Sequence, residues 1–192
     1  MAGRLTILVG ASCSGKTGLA KKGLILNPGL KFVRSRTTRP TRPHPFHEED
    51  IGTYGEPFTH EEYGKMLAED KLWSSVEYRG ENYGLADEDF HDILRSGNGV
   101  IPLVPEVAER SYERYKNQFA VIIVVLMPTP SQFLANMRHR GITDPTKQAA
   151  ILAEDEAIKR RAWRVPVTRI TIERLDDYAT IAGAIFDQRI ED

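Results

Sequence analysis

Cysteine, net charge and long apolar runs are all scarce in this chain of 192 residues. Cys13 is its one cysteine. A single thiol excludes an intramolecular disulfide framework and a cysteine-based metal cluster, and it suits a reducing compartment. Lys and Arg total 26 against 27 Asp and Glu, a formal net charge of −1. That balance excludes a histone-like or polybasic nucleic-acid binder but leaves room for a local basic patch. No apolar stretch approaches the ~20 residues of a membrane span, and the N-terminal run at 5–9 is too short for a secretion signal. These absences predict a soluble, cytoplasmic protein. The remainder is ordinary globular composition, 41% hydrophobic and 28% charged, at a length that fits one domain.

Apolar runs at 5–9 (LTILV), 98–104 (NGVIPLV), 120–127 (AVIIVVLM) and 169–172 (RITI) read as strands, the first and third as buried parallel ones. Pro102 inside the second run is awkward for a central strand. Helical patterns occupy 16–26, 59–69, 106–115, 130–140, 145–163 and 177–189. Strands alternating with helices predict an α/β fold with a mostly parallel sheet. From 34 to 84 this rhythm breaks. The segment is rich in Arg, Pro, Gly, His and Tyr and poor in hydrophobic runs, the composition of an insert that carries polar ligand contacts rather than core.

Gly10-Ala-Ser-Cys-Ser-Gly15-Lys16-Thr17 matches G-x-x-x-x-G-K-[ST], with a strand before it and a helix after. Backbone N–H groups of such a loop, at a helix N-terminus, attract phosphate oxygens, and glycines admit close approach. Ser12, Cys13, Ser14, Gly15, Lys16 and Thr17 are therefore the candidate phosphate-binding residues. Lys16 would reach the β- and γ-phosphates of ATP, and the Thr17 hydroxyl would ligate Mg²⁺. The motif alone does not separate kinase, GTPase and ATPase. Cys13 reads as a small loop residue, because the loop offers it no base partner.

The second constellation is 34–43 (RSRTTRPTRP). Arg34, Arg36, Arg39 and Arg42 fall within nine residues that contain no acid. Arginine grips phosphate with a planar fork, and the prolines keep the segment extended. Trp73 and Trp163 read as packing residues. His44, His47 and His60 with Glu48, Glu49 and Asp50 match no zinc spacing and read as a polar loop.

With these motifs in this order the chain resembles the guanylate kinases and the wider guanylate-kinase-like group of P-loop kinases. That family follows its Walker loop with S-x-T-T-R-x-x-R, where Ser35, Arg39 and Arg42 stand. Tyr54, the segment Phe58-Thr-His-Glu-Glu-Tyr63, the element Gly80-Glu-Asn-Tyr83-Gly84 and the late Arg140-Gly141 follow in family order. The resemblance implies a three-layer P-loop kinase sandwich: a core at 1–33 and 91–192, an acceptor-binding insert at about 34–90 and a lid at about 136–150. It implies ATP and Mg²⁺ on the Walker loop. It also implies a nucleoside monophosphate clamped by Ser35, Arg39, Arg42, Tyr54 and Tyr83, and a transferring phosphoryl group stabilised by Lys16, Arg39, Arg42 and Arg140. GMP or dGMP is the family's acceptor. A monomer or homodimer is expected, with no membrane partner and nucleic acid only as an acceptor.

Several positions depart from the family pattern. Ser74 stands where a guanine-reading glutamate is expected, and Leu85 where a small hydroxyl residue is. Leu103-Val104-Pro105 replaces an acidic pair, with Glu106 next to it. Asn136 and Ile151 replace lid arginines, with Arg138, Arg160 and Arg161 as the nearby cations. A guanine edge presents donors at N1 and N2, for which a carboxylate is the natural acceptor. Ser74 can still accept one hydrogen bond, and Glu77 lies close by in sequence. An alternative acceptor is therefore a modified or non-guanine nucleotide, a nucleotide in DNA or a ribose phosphate. A hydroxyl acceptor would call for a base such as Glu106 or Asp50. A second alternative is a non-catalytic guanylate-kinase-like binding module, against which the intact Gly15-Lys16-Thr17 counts.

Overall fold

The computed structural model describes residues 3–40, 57–95, 97–174 and 177–186. In chain order the elements are β1 (Arg4–Val9), α1 (Lys16–Leu26), β2 (Leu30–Phe32), β3 (Arg36–Thr37), α2 (His60–Ala68), β4 (Ser74–Tyr78), β5 (Glu81–Leu85) and α3 (Asp87–Leu94). They continue with β6 (Asn98–Pro102), α4 (Pro105–Tyr115), β7 (Ala120–Pro128), α5 (Pro130–His139), α6 (Pro145–Arg160), β8 (Thr168–Ile172) and α7 (Asp177–Phe186). The chain divides into two compact units, Met1–Lys31 with Gly97–Asp192, and Phe32–Ser96.

The first unit is built on a five-stranded sheet in the order β2-β6-β1-β7-β8. β1 runs parallel to both β6 and β7, and β8 runs parallel to β7. All six residues of β1 are buried. A parallel strand covered on both faces has no wet side, so it reads as an unbroken apolar run. Arg4 is the charged exception. It is 4% exposed, and its Nη2 donates to the carbonyl of Phe186 at the end of α7, 2.8 Å away. A cation there meets the negative end of the helix dipole. The α/β fold with a mainly parallel sheet is the one the alternating pattern predicts.

Pro102 fits a central strand for a geometric reason. The N–H of Leu103 donates to the Leu8 carbonyl at 3.0 Å. Successive N–H groups of a strand point to opposite edges, so the missing donor of Pro102 faces away from β1. The strand ends there, two residues short of the predicted run, because Val104 becomes the N-cap of α4 and Pro105 fills its first turn. α6 likewise stops at Arg160, short of Trp163, at a C-cap residue with extended ψ. Among the described residues no helix is long and apolar enough to cross a membrane.

The second unit contains a three-stranded antiparallel sheet, β3-β5-β4, and the helix α3, none of which the hydrophobic pattern predicted. β4 and β5 form a hairpin in which Tyr78 pairs with Glu81. Arg79 and Gly80 between them both have positive φ, 56° and 81°, as the tight turn that matches strand twist requires. α2 starts at a reciprocal cap. The Glu62 N–H donates to Thr59 Oγ1 (3.1 Å), and the Thr59 N–H donates to Glu62 Oε2 (2.8 Å). Tyr63 and Leu72 pack over Gly84 of β5. A methyl group there would lie 2.7 Å from Leu72 Cδ1 and 2.9 Å from Tyr63 Oη. Trp73 packs edge-on against Phe90, centroids 6.1 Å apart, in the packing role its sequence context indicates.

Candidate active site

β1 is the strand at which the sheet order reverses, with β6 on one side and β7 on the other. Ligands of open parallel sheets bind beyond the carboxyl end of such a strand, and that is where residues 10–17 lie. The loop turns tightly. The Ser14 N–H donates to the Ala11 carbonyl at 3.1 Å. Cys13 adopts a left-handed φ of 66° and Gly15 one of 95°. Gly10 leaves room for Ser14, whose Oγ would be 2.4 Å from a methyl group there. Ser14 is fully buried, and Lys16 and Thr17 open α1 half-buried.

Lys16 Nζ donates to the carbonyls of Gly10 (2.6 Å) and Ala11 (2.8 Å), with Ser14 Oγ at 3.5 Å. The ammonium thus lies against the mouth of its own loop. No acid stands in the first turn of α1, and its N-cap Gly15 supplies no side-chain acceptor. The N-terminal N–H groups of the helix therefore keep their capacity for an anion. A cation, a hydroxyl on Thr17 and a helix N-terminus without acids are the donor set that a magnesium-bound polyphosphate needs.

Two further side chains meet this loop: Asn136, marked in the sequence only as a departure from a lid arginine, and Tyr178, which no motif marks. Asn136 of α5 donates from Nδ2 to the Cys13 carbonyl at 2.9 Å, while Gln132 Nε2 donates to Asn136 Oδ1 at 2.8 Å. Tyr178 of α7 lies over Gly15 and Gly18, so a methyl group on Gly15 would be 1.8 Å from its Oη. Burial pushes the Tyr178 phenol above its ordinary value, and the neighbouring Asn136 amide and Arg140 charge pull it partly back. Arg140 is the half-buried C-cap of α5. Ile151, expected to be an arginine by resemblance, is 2% exposed and part of the core.

The nearby cation Arg161 is committed elsewhere. Its Nη1 donates to Glu106 at 2.6 Å and its Nη2 to Glu109 at 2.8 Å. This pairing also neutralises Glu106, the carboxylate considered as a base.

In the second unit the sheet register groups two of the acceptor candidates, Ser74 and Tyr83, with Thr37. Thr37 pairs with Tyr83, Val76 with Tyr83, and Ser74 with Leu85. Directly opposed residues share a face and alternate residues return to it, so Thr37, Ser74 and Tyr83 lie on one face. Glu77 pairs with Asn82 and falls on the other, exposed; its parity removes it as a replacement for Ser74. Ser74 is 3% exposed, and its Oγ has no hydrogen-bond partner among the described residues. Ser35 is buried just before β3, and the Arg39 N–H just after it donates to Thr37 Oγ1 at 3.1 Å. Arg36 is a structural member of the arginine segment. It forks onto Asp89 and reaches Glu88 at 2.7 Å, with Phe58 under its guanidinium. Arg42, Tyr54, His44, His47, Glu48, Glu49 and Asp50 lie outside the described residues.

A Walker loop joining the central strand of a parallel sheet to a helix N-terminus defines the P-loop class of nucleotide-binding fold. A guanylate kinase of Koribacter versatilis is 31% identical over 144 residues, which make up 75% of this chain and 60% of that protein. A guanylate kinase of Rubrobacter xylanophilus is 27% identical over 174 residues, 90% of this chain and 88% of that protein. The crystal structure of guanylate kinase from Anaplasma phagocytophilum matches with a TM-score of 0.62 at 20% identity, covering 98% of this chain and 88% of that one. No protein-family model matches the chain. The chain is thus guanylate-kinase-like: it is similar to these enzymes over most of its own length, shares the fold of the Anaplasma structure, and spans about 60% of the Koribacter relative.

Proposed function

We propose that this protein transfers the γ-phosphoryl group of ATP to a nucleoside monophosphate. The observation that carries the reading is the phosphate loop itself. Its cation, its hydroxyl and its acid-free helix N-terminus converge at the carboxyl end of β1. Guanylate kinase relatives at 27% to 31% identity support the reaction class. Residues 12–17 would hold the polyphosphate, and the Thr17 hydroxyl would hold Mg²⁺, which when bound supplies positive charge against the phosphates. Lys16 would exchange its contacts with the Gly10 and Ala11 carbonyls for phosphate oxygens. Ser35, Arg39, Arg42, Tyr54 and Tyr83 would orient the acceptor phosphate, and Arg140 would offset the charge on the transferring group.

An acceptor phosphate needs no general base, since its oxygen is already anionic. That oxygen attacks the γ-phosphorus, the bond to the β-phosphate oxygen breaks, and ADP leaves with the electron pair. Positioning and charge neutralisation supply the catalysis. GMP or dGMP is the acceptor the family supplies. The buried Ser74 hydroxyl in place of a carboxylate favours a second reading, in which the acceptor's base edge offers one hydrogen bond to a neutral group.

The test is transfer of label from γ-labelled ATP and Mg²⁺ to a panel of ribo- and deoxynucleoside monophosphates, ribose phosphates and short DNA. Label on GMP or dGMP alone supports the first acceptor, and label on another nucleotide supports the second. Lys16→Ala is expected to reduce transfer by about 100-fold or more, the scale of removing one preorganised charge from phosphoryl transfer. Retention of wild-type rate by that variant overturns the proposal.

A further inference from the structure

The peptide between Cys13 and Ser14 is held at both of its polar ends. Its N–H donates to the Ala11 carbonyl within the loop, and its carbonyl accepts from Asn136 Nδ2 of α5 at 2.9 Å. Cys13 needs such a tie. A left-handed φ of 66° is unfavourable for a residue with a Cβ. Gln132, itself 8% exposed, donates to Asn136 Oδ1 and thereby decides which end of the amide faces Cys13.

Two residues on, Gly15 carries the second unusual φ, 95°, and here the ring of Tyr178 from α7 closes over the turn. A methyl group on Gly15 would meet Tyr178 Oη at 1.8 Å, and one on Gly18 would meet Cε2 at 2.9 Å. Gly15 thus admits the tyrosine as well as the phosphate.

We propose that Asn136 and Tyr178 form a two-point clamp that positions the phosphate loop for nucleotide. This rests on the reading of residues 10–17 as the ATP site. The clamped stretch, 13–15, is the part of the loop whose N–H groups would face phosphate. A loop held in place before binding loses less conformational freedom when the nucleotide arrives. The resemblance places an arginine where Asn136 stands. A neutral amide cannot supply that charge, but it can donate to a backbone carbonyl, and in this chain it does. The two residues act through the loop and are positioning residues.

Cys13 provides a direct readout, since it is the one thiol and is 3% exposed. The rate at which a chromogenic disulfide reagent labels it reports opening of the loop. Full-length wild type, Asn136→Asp, Asn136→Ala, Tyr178→Ala and Tyr178→Phe are compared without nucleotide. Asn136→Asp keeps the shape but turns a donor toward the carbonyl into a repelling acceptor. Tyr178→Phe keeps the ring.

Asn136→Asp, Asn136→Ala and Tyr178→Ala are expected to label about fivefold faster or more, the opening that loss of one hydrogen bond or one packed ring permits. Their circular dichroism should stay near wild type, and the thermal midpoints of the two Asn136 variants should fall less than that of Tyr178→Ala, which also loses a buried ring. Tyr178→Phe should label as slowly as wild type. The KM for ATP should rise in the three opened variants with kcat little changed. Wild-type labelling rates in all of them, folded, overturn the clamp. Should one variant fail to fold, the other position decides. A wild type that neither binds nor turns over ATP overturns the functional reading, while the labelling rates still decide the clamp.

Discussion

Arg36 donates from Nε and from Nη2 to the two carboxylate oxygens of Asp89, at 2.9 and 2.8 Å. Its Nη2 also reaches Glu88 at 2.7 Å, and Phe58 lies under the guanidinium. The Asp89 hydrogen bond dominates in holding the Arg36 proton more tightly than usual, against the cost of burial. The fork ties β3 to the acidic first turn of α3 within one unit. Arg36→Ala is expected to destabilise that unit by about 1–3 kcal/mol, the range for a charge-assisted bidentate pair. Arg36→Lys should recover little of this, since an ammonium cannot reproduce the fork. Urea unfolding followed by tryptophan fluorescence, with Trp163→Phe as the background so that Trp73 reports alone, measures both.

Gly15→Ala is expected to cost about 1–3 kcal/mol from the left-handed φ alone, before Tyr178 has moved aside. In Tyr178→Phe the atom that the new methyl would strike first is absent, so the double variant should cost less than the sum of the singles. A double-mutant cycle on urea midpoints gives the coupling.

Ser74→Ala separates binding from stability. The hydroxyl is buried without a partner among the described residues. Its removal is therefore expected to leave the thermal midpoint unchanged or slightly raised. If the hydroxyl meets the acceptor, the acceptor KM should rise about fivefold, the worth of one neutral hydrogen bond, with the ATP KM unaffected. An unchanged acceptor KM excludes Ser74 from the acceptor site.

Glu109 predicts an acid limb in the stability profile. Burial works against its charge, but the Arg164 N–H at 2.9 Å and the Arg161 guanidinium at 2.8 Å outweigh it and hold the carboxyl below the ordinary 4.5. A carboxyl lowered by folding stabilises above its unfolded pKa and loses that stabilisation as pH falls through the folded one. The contribution should be whole above about pH 4.5 and fade below it. Glu109→Gln is expected to flatten the decline below pH 4.5 in a series of urea midpoints. The same steepness in the variant would show that Glu109 does not titrate in that window.

Much of the first unit could be read along the chain. β1 and the middle of β7 are buried on both faces, so residues 5–9 and 120–127 are continuous apolar runs, and three of its helices begin at Pro105, Pro130 and Pro145, each in a first turn. The Walker loop is local in sequence because all its phosphate donors come from one turn. The antiparallel sheet of the second unit could not be read this way. Its strands are short, one face is wet, and the hairpin turns on Arg79-Gly80 rather than on an Asn-Gly or Asp-Gly signal.

The sequence by itself determined the fold class, the phosphate loop and the basic segment, because each is written in neighbouring residues. Only the tertiary structure decided how the charges are spent. It assigned Arg36 to Asp89, Arg161 to Glu106 and Glu109, and Glu77 to the face opposite Ser74. It also brought Asn136 to Cys13 across 123 residues of chain. Such pairings depend on helix phase and strand parity, and a run of like charges carries neither.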